Sequence, residues 1–349
     1  MRRVVIQLAV LVASLLGCAR SAPAGESRLV RVFDACTPMG TYMAVTVYAP
    51  DEPSGRQAIA AAFARVEEVE AATSHYRETS EISKLNRGAG GPALPVGPHV
   101  WAVLRRSAEV SAETDGAFDV TVGPLVALWK KTWKKGKAPA DADLAAARAL
   151  VDFRSVALTQ EGRRVQLPKP GMQFDLGAIA KGYAVDQAVA ALRERGIQAA
   201  LVDAGGDMYA MGAPPERKGW FIGIRDPSQP DEKDRILSRA LCIRDQAVAT
   251  SGDYEQFGVI EGRRYSHILD PRTGRPVLGV ASVTVVAPDA TSADAYATAM
   301  SVLGPEASVA FAEKRPGIEV MAICERGGQF VATRSKGFER LEVTPTAGR

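Results

Sequence analysis

The sequence predicts an α+β protein in which largely antiparallel sheets pack against helices. Stretches with helical spacing of apolar residues and stretches typical of strands are mixed, without the regular alternation that builds a parallel sheet. The 349 residues are 46% apolar and 24% charged, which is ordinary for one large domain or two domains and argues against intrinsic disorder. No segment of about 20 to 50 residues repeats, so solenoids and propellers are excluded.

Apolar periodicity and the turn residues between periodic segments predict each element. Ser292 is the expected cap of one helix, and Gly196 is the expected stop of another. In chain order, these patterns predict a strand at 41–48, helices at 58–73, 100–113 and 179–195, strands at 200–202, 220–224 and 280–286, helices at 292–303 and 305–314, and strands at 319–324 and 329–333.

The segment 129–143 carries five lysines around two tryptophans. Such a segment is typical of a solvated surface loop, and we predict one here. The alternative is that the lysines bind anionic lipid headgroups.

The composition excludes several functional classes. The 43 basic and 40 acidic residues give a net charge of +3, which offers no electrostatic footprint for nucleic acid. Three histidines exclude a histidine-rich metal store, and four cysteines in this length exclude a small disulfide-built scaffold.

The N-terminus has the pattern of an export signal. Arg2 and Arg3 precede an apolar stretch that is shorter than the about 20 residues needed to span a bilayer. This stretch ends in the tetrapeptide 15–18, L-L-G-C, which resembles the lipobox of bacterial lipoproteins. We therefore expect a signal peptide at 1–17, an acylated Cys18 that anchors the chain to a lipid bilayer, and a flexible tether at 18–28. The alternative is a plain secretory signal with an accidental cysteine.

These segments predict an exported protein on the periplasmic face of a bacterial membrane; we favour the inner membrane, and the outer membrane stays open as the alternative. The catalytic region is expected at 29–340, in one or two subdomains, followed by a C-terminal tail at 341–349. Cys36, Cys242 and Cys324 have no metal-site or redox spacing, so we expect small buried side chains; whether any two form a disulfide stays open.

The segment 174–184 is the first candidate site. A short strand is expected to lead through a glycine turn into a helix, and such a junction directs free N–H groups and a positive dipole end at an anion. Asp175 would add an acceptor and Lys181 a cation that pairs with phosphate. A purely structural junction remains the alternative, since the segment lacks the P-loop pattern.

The pair Asp294 and Thr298 is the second candidate site. Four residues apart on a predicted helix, their oxygens lie on one face, which suits a hard cation such as Mg²⁺. The alternative is an acidic residue favoured by the helix dipole and a threonine that bonds back to the helix.

Two further segments are candidate sites. The stretch 249–254 is followed by 265–274, where D-P-R-T-G turn residues would hold His267, a side chain suited to proton transfer near neutral pH. In 115–125, Phe118 could cover a ring and Asp119 could accept from a heterocycle N–H. Taken alone, a histidine is more often structural than catalytic, and 115–125 is simply a helix-to-strand connection.

Five motifs stand together in one order: G-A-F-D-x-T-x-G-P-L, D-L-G-A-I-A-K-G-Y-A, A-T-S-G-D-Y, Y-S-H-I-L-D-P-x-T-G and A-D-A-x-A-T-A. In this order they strongly resemble the ApbE-like flavin transferases (FAD:protein FMN transferases), which are exported bacterial lipoproteins. The resemblance covers 37–338 and includes M-G-T at 39–41 and D-A-G-G-D at 203–207, although the family more often has Asn where Asp203 stands.

The resemblance implies an ApbE-like fold with FAD bound in a cleft. It also implies a Mg²⁺-dependent transfer of FMN from FAD to a Thr or Ser hydroxyl of target proteins, with release of AMP. The acceptors would be membrane-associated electron-transfer subunits. The implied magnesium ligands are the Ala178 carbonyl and the side chains of Asp294 and Thr298.

The remaining implied roles follow the same motifs. His267 would be the base for the acceptor hydroxyl, and Lys181 and Asp294 would act on the phosphate and through the metal. The implied contacts to flavin and pyrophosphate are Met39, Tyr76, Ala117, Phe118, Asp119, Asp175, Lys181, His267 and Ile268. Two alternatives share these residues: a Mg²⁺-dependent FAD pyrophosphatase that gives FMN and AMP, and a non-catalytic flavin-binding lipoprotein.

Overall fold

The computed structural model describes residues 29–227, 236–252, 257–260 and 263–344. The expected signal peptide, the tether with Cys18, and Asp253 and Tyr254 of the third candidate segment lie outside these residues. Within them, no helix is both long enough and apolar enough to cross a membrane.

The helices of the described residues include every helix expected from the sequence. Their bounds are α1 Glu52–Thr73, α2 Glu81–Arg87, α3 Pro98–Glu113, α4 Gly123–Trp133, α5 Asp141–Arg148, α6 Ala180–Glu194, α7 Ala290–Leu303, α8 Pro305–Ala312 and α9 Lys336–Leu341. Two short 3₁₀ turns occur at Pro38–Gly40 and Phe153–Ser155.

The strands are more numerous than the sequence patterns predict, because several are short. Their bounds are β1 Val30–Cys36, β2 Met43–Ala49, β3 Leu94–Pro95, β4 Ala157–Thr159, β5 Arg164–Gln166, β6 Ala199–Ala204, β7 Asp207–Met211, β8 Trp220–Arg225, β9 Ile236–Ile243, β10 Gln246–Gly252, β11 Phe257–Ile260, β12 Arg263–Ser266, β13 Leu269–Asp270, β14 Arg275–Pro276, β15 Val280–Ala287, β16 Glu319–Arg326, β17 Gln329–Arg334 and β18 Glu342–Val343.

Eight strands form a central sheet in the order β1-β2-β6-β7-β10-β15-β16-β17. All neighbouring pairs in it are antiparallel, which confirms the predicted α+β class. One face packs against α1, α3, α6 and α7 in the largest apolar cluster. The other face is partly covered by the small sheet β8-β9-β18 and by Phe338 of α9.

This double cover explains the burial of β15. Val283 and Val285 alternate with Ser282 and Thr284, a pattern typical of a strand with one solvated face. All four are buried, because Val283 and Val285 face the helices while the second sheet lies beyond the opposite face. The hydroxyl of Thr284 bonds to that of Thr250 at 2.9 Å, which satisfies a buried polar group.

Three local expectations are wrong. Helix α7 is capped by Asp289, whose carboxylate accepts from the Ser292 amide at 2.7 Å, so Ser292 is not the cap. The short strand expected before the glycine turn of 174–184 does not form, since Gln173 makes only an isolated bridge to Val122. Residues 342–343, assigned to a tail, pair with β9 as β18.

The lysine-rich segment is not simply a solvated loop. Its first part is the end of α4, where Trp129 is buried and its indole N–H donates to the carbonyl of Gly274 at 2.8 Å. The apolar spacing of Leu125 and Trp129 on one helical face places this ring in a satellite cluster with Leu269. The lysines at the end of the helix are exposed.

The three described cysteines carry free thiols. Cys324 is buried, as expected, whereas Cys36 and Cys242 are only half-buried.

Candidate functional site

Every site residue predicted from the sequence, other than Cys18, lines one cleft of about 640 Å³. These residues are Met39, Tyr76, Ala117, Phe118, Asp119, Asp175, Ala178, Lys181, His267, Ile268, Asp294 and Thr298. The structure therefore brings together segments that lie more than two hundred residues apart in the chain.

The N-terminus of α6 opens into this cleft after a tight turn. Asp175 accepts the amide of Gly177 at 2.9 Å, and α6 begins three residues later at Ala180. The Gly182 amide, which a longer helix would direct at the Ala178 carbonyl, donates instead to Oδ2 of Asp294 at 3.0 Å. The Ala178 carbonyl thus accepts no such helical bond, although the Leu176 and Ile179 carbonyls near it do, and it lies at a helix end whose dipole attracts anions.

Glycine at position 182 allows α6 and α7 to touch. A Cβ there would lie 2.1 Å from the carbonyl oxygen of Ala290 and 2.8 Å from the Cβ of Asp294. Neither the backbone oxygen nor the helix that carries it can move cheaply, so only glycine fits. The sequence alone marks this glycine as part of a motif but does not give this reason.

Asp186, one turn further along α6, holds the other end of this contact. Its carboxylate accepts from the amides of Ala290 and Thr291 at 2.8 and 2.9 Å and from the Thr291 hydroxyl. Burial raises the pKa of Asp186 to about 6 despite these bonds. The first turn of α7, which leads to Asp294, is therefore held against α6.

The oxygen donors at this contact fit a magnesium ion. Asp294 is 4% exposed, Thr298 follows one helical turn later, and Ala178 lines the same cleft. A carboxylate, a hydroxyl and a carbonyl are hard ligands, as Mg²⁺ prefers. The described residues hold no group of three or more His, Cys, Asp or Glu that could bind a metal alone. Such an ion would rely on water and substrate oxygens for its remaining positions, as is usual for Mg²⁺.

Lys181 forms an ion pair with Asp207. Asp207 is 2% exposed and begins β7, directly after a glycine turn. Burial raises the pKa of its carboxyl, and the Lys181 ammonium opposes that shift. The sequence gives Asp207 only as part of a motif match, and the contact joins residues that no local pattern relates. We call Ala178, Lys181, Asp207, Asp294 and Thr298 the helical end of the cleft.

The wall formed by 117–119 is more deeply buried than a ring-covering loop would be. Phe118 is 2% exposed and belongs to the main apolar cluster. The Asp119 carboxylate accepts from the amide and hydroxyl of Thr121 at 2.7 Å each and from the Phe153 amide at 3.0 Å. Burial raises the Asp119 pKa. Any ligand N–H bonded to Asp119 therefore shares a carboxylate that already orders this turn.

Aromatic side chains line another part of the cleft. Tyr76 is 76% exposed, and the Lys130 ammonium donates to its hydroxyl at 3.1 Å and lies 5.6 Å from its ring centre. The His75 ring lies 4.0 Å from that of Tyr76, centre to centre, and half-buried Trp133 lines the same cleft. We call His75, Tyr76, Lys130 and Trp133 the aromatic rim. Of these four residues the sequence predicts only Tyr76 as a site residue, because the rim joins α4 to a distant turn.

His267 stands between β12 and β13, as the turn residues predict. The following hairpin is closed by the Gly274 amide on the Asp270 carbonyl at 2.7 Å and by the Val277 amide on the Ile268 carbonyl at 2.9 Å. Because the Trp129 indole donates to Gly274, the hairpin that carries His267 is fixed to α4.

Met39 lies in a strained turn at the cleft wall. It is one of the few non-glycine residues with a left-handed φ, at 54°, and its amide donates to the Glu70 carboxylate at 2.9 Å. Such strain persists where the surroundings hold it and is frequent at binding sites.

Comparison with known proteins gives a consistent picture. Residues 39–322 match the model of the ApbE family. The FAD:protein FMN transferase of Treponema pallidum (strain Nichols) is 35% identical over 322 residues, which cover 88% of each chain. The FAD:protein FMN transferase of Klebsiella pneumoniae (strain 342) is 31% identical over 337 residues, which cover 94% of each.

Solved structures agree with these matches. The flavin transferase ApbE from Vibrio cholerae superposes with a TM-score of 0.78 at 32% identity, covering 90% of this chain and 99% of that one. The ApbE protein from Thermotoga maritima superposes with a TM-score of 0.80 at 30% identity, covering 90% and 100%. The fold expected from the resemblance is therefore confirmed.

Proposed function

Because the chain belongs to the ApbE family, whose curated relatives are FAD:protein FMN transferases, we propose a Mg²⁺-dependent transfer of FMN from FAD to a Thr or Ser hydroxyl. The transferase activity follows from the relatives, while the metal and the bond formed are the proposal. The observation that carries it is the helical end, where an anion-attracting helix terminus, a lysine and three hard oxygen donors face one cleft.

The proposed reaction is a phosphoryl transfer. The acceptor hydroxyl oxygen attacks the phosphorus of the FMN half, the new P–O bond forms a phosphoester, and the P–O bond to AMP breaks. AMP leaves with the electron pair of that bond. His267 takes the proton of the attacking hydroxyl, since an imidazole is suited to proton transfer near neutral pH.

The helical end binds and orients the diphosphate. The α6 terminus and Lys181 face the charge that develops on the leaving phosphate, which they stabilise without reorganisation. Ala178, Asp294 and Thr298 would hold Mg²⁺, which neutralises phosphate charge and orients the leaving group when bound. The aromatic rim offers ring faces that suit stacking by one of the ring systems of FAD.

We also propose the cellular setting. The basic and apolar start of the chain and the L-G-C sequence at 16–18 support an exported lipoprotein anchored through Cys18 on the periplasmic face of a membrane, which we propose is the inner one. An anchored enzyme meets anchored substrates on a shared surface. The acceptors are accordingly proposed to be membrane-associated electron-transfer subunits.

A flavinylation assay tests the chemistry. The protein is incubated with FAD, Mg²⁺ and a candidate acceptor domain, with a Thr/Ser→Ala acceptor as control. We expect flavin fluorescence on the acceptor in a denaturing gel and one AMP per flavinylated acceptor by chromatography. Free FMN and AMP with no labelled acceptor, across a panel of acceptors, would identify a pyrophosphatase instead. Binding of FAD without either product would identify a non-catalytic flavin carrier.

A further inference from the structure

The hairpin between β6 and β7 delivers a buried carboxylate to the helical end. Gly205 and Gly206 both have left-handed φ values, 64° and 97°, and Oδ1 of Asp203 accepts the Gly206 amide at 2.9 Å. This tight turn is followed at once by Asp207, which lines the cleft and is 2% exposed.

The tip of this hairpin lies close to Thr41. A Cβ at Gly205 would lie 2.3 Å from the hydroxyl oxygen of Thr41, another residue that lines the cleft. The glycine therefore lets the hairpin approach the wall formed by 39–41. The D-A-G-G-D motif thus places the carboxylate of Asp207 at the helical end of the cleft.

Stability alone does not explain the pair that Asp207 makes. Lys181 is the second residue of α6, where the positive end of the helix dipole disfavours a cation. A fully buried carboxylate loses its hydration, and such a pair is commonly no more stabilising than apolar side chains of the same size. Departures of this kind from the rules of stability are expected where function requires them.

The ion pair between Lys181 and Asp207 can serve the proposed reaction. An unpaired lysine on four rotatable bonds samples many positions, whereas the carboxylate fixes the ammonium before substrate arrives. The carboxylate also repels an incoming diphosphate, so it cannot strengthen ground-state binding. Its effect should therefore fall on turnover rather than on affinity.

We propose that Asp207 is a positioning residue that holds the Lys181 ammonium at the phosphates, where it neutralises charge as AMP leaves. This inference rests on the proposed function, in which Lys181 faces the diphosphate. Asp207 acts only through Lys181 and does not touch FAD.

Isosteric replacement of Asp207 in the full chain tests this role. We expect Asp207→Asn to lower kcat for FMN transfer by about 10²-fold, with the KM for FAD within about threefold of wild type. The Kd of FAD, measured by flavin fluorescence without Mg²⁺, should not rise by more than about threefold. Asp207→Glu keeps the charge but moves the carboxylate, so it should also lower kcat. It provides the test if Asp207→Asn does not fold.

Asp203→Asn is the matched control. It removes one negative charge from the same hairpin, and the Asn oxygen can still accept the Gly206 amide. We expect kcat within about threefold of wild type.

A double-mutant cycle with Lys181→Gln shows whether Asp207 acts through the lysine. Lys181→Gln should lower kcat by about 10²-fold, and adding Asp207→Asn should change it by less than about threefold more. Losses that multiply to about 10⁴-fold would overturn the inference, as would normal kcat in folded Asp207→Asn or a rise in KM alone. If Lys181→Gln itself keeps wild-type kcat, the proposed role of Lys181 fails, which is a different result from failure of Asp207 alone.

Discussion

The helical end and the aromatic rim of the cleft are built in different ways. At the helical end, Asp294 and Asp207 are almost fully buried, and Gly182 and Asp186 lock α6 against α7. At the aromatic rim, Tyr76 is 76% exposed and contacts α4 through one lysine. The helical end is held by buried backbone and side-chain contacts, whereas Tyr76 at the rim is held by side-chain contacts close to solvent.

We infer from this difference that the helical end and the rim have different roles in the proposed reaction. Groups that act on developing charge must be fixed before the reaction, because reorganisation during turnover costs rate. Groups that cover a ring need only offer a surface, and can adapt when a ligand arrives. We therefore expect substitutions at the helical end to lower kcat and those at the rim to raise KM.

The strongest test of this division is Asp294→Ala. It removes the only carboxylate among the proposed metal ligands, and we expect kcat to fall by about 10²–10³-fold even at saturating Mg²⁺. Mg²⁺ titrations of FMN transfer measure this.

Asp289→Ala is the control on the same helix. Asp289 caps α7, so its loss should cost about 1 kcal/mol of unfolding free energy and leave kcat of the folded enzyme within about threefold of wild type. Wild-type kcat in Asp294→Ala would refute the metal assignment and remove the contrast between the two sides.

The contact that Asp186 makes between α6 and α7 should make the stability of the protein depend on pH. The folded pKa of Asp186, about 6, lies above the unfolded value of about 3.9, so the folded state favours the protonated carboxyl. Relative to Asp186→Asn, the wild type should therefore lose up to about 3 kcal/mol of unfolding free energy as pH rises from about 4 to above 6. Urea unfolding at several pH values measures the difference between the two proteins.

Asp51 supplies the opposite case. It caps α1, and its bonds from the backbone amide and side chain of Ser54 lower its pKa. Compared with Asp51→Asn, the wild type should gain stability as pH rises through the acidic range. If the unfolding free energy of wild type relative to Asp186→Asn instead rises with pH, as it should relative to Asp51→Asn, then the folded state does not raise the pKa of Asp186.

Gly182→Ala tests whether close helix contact positions the active groups. The added Cβ meets the Ala290 carbonyl, so we expect a loss of about 2 kcal/mol of unfolding free energy and a fall in kcat of about tenfold. Gly55→Ala is the matched control in α1, where the Cβ would lie 2.6 Å from a side-chain methyl of Val32, away from the cleft. It should destabilise the protein yet leave kcat of the folded fraction unchanged; equal kcat losses in both variants would mean that general destabilisation explains the effect.

The sequence predicts the helical end better than the rim. Asp294 and Thr298 are four apart, and a glycine turn precedes Lys181, so local geometry already relates them to a ligand. Asp207 and His75 reach the cleft only through tertiary contacts with Lys181 and Asp175, which no spacing reveals. The order of motifs supplied the family, but not the reason for Gly182 or Asp207.

The errors have the same physical origin. The pattern around Ser292 fits a cap, but Asp289 three residues earlier accepts the Ser292 amide, and two good caps cannot be ranked from sequence alone. The lysines near Trp129 favour a loop when the sequence is considered alone. The ring is buried instead, because Leu269 and other distant residues form a cluster around it. Local composition cannot report such tertiary burial.

The smallest expected effect is at the rim and completes the contrast. Tyr76→Ala removes an exposed ring that can stack on a flat ligand, so we expect the KM for FAD to rise by about tenfold, with kcat within about threefold of wild type. Tyr76→Phe keeps the ring and loses only the bond from Lys130, and its KM should stay within about threefold. Tyr42→Ala, at a tyrosine that is 57% exposed and is not among the cleft-lining residues, should change neither constant. A fall in kcat at constant KM in Tyr76→Ala would mean that the rim positions the reacting groups, so that both sides of the cleft act on turnover.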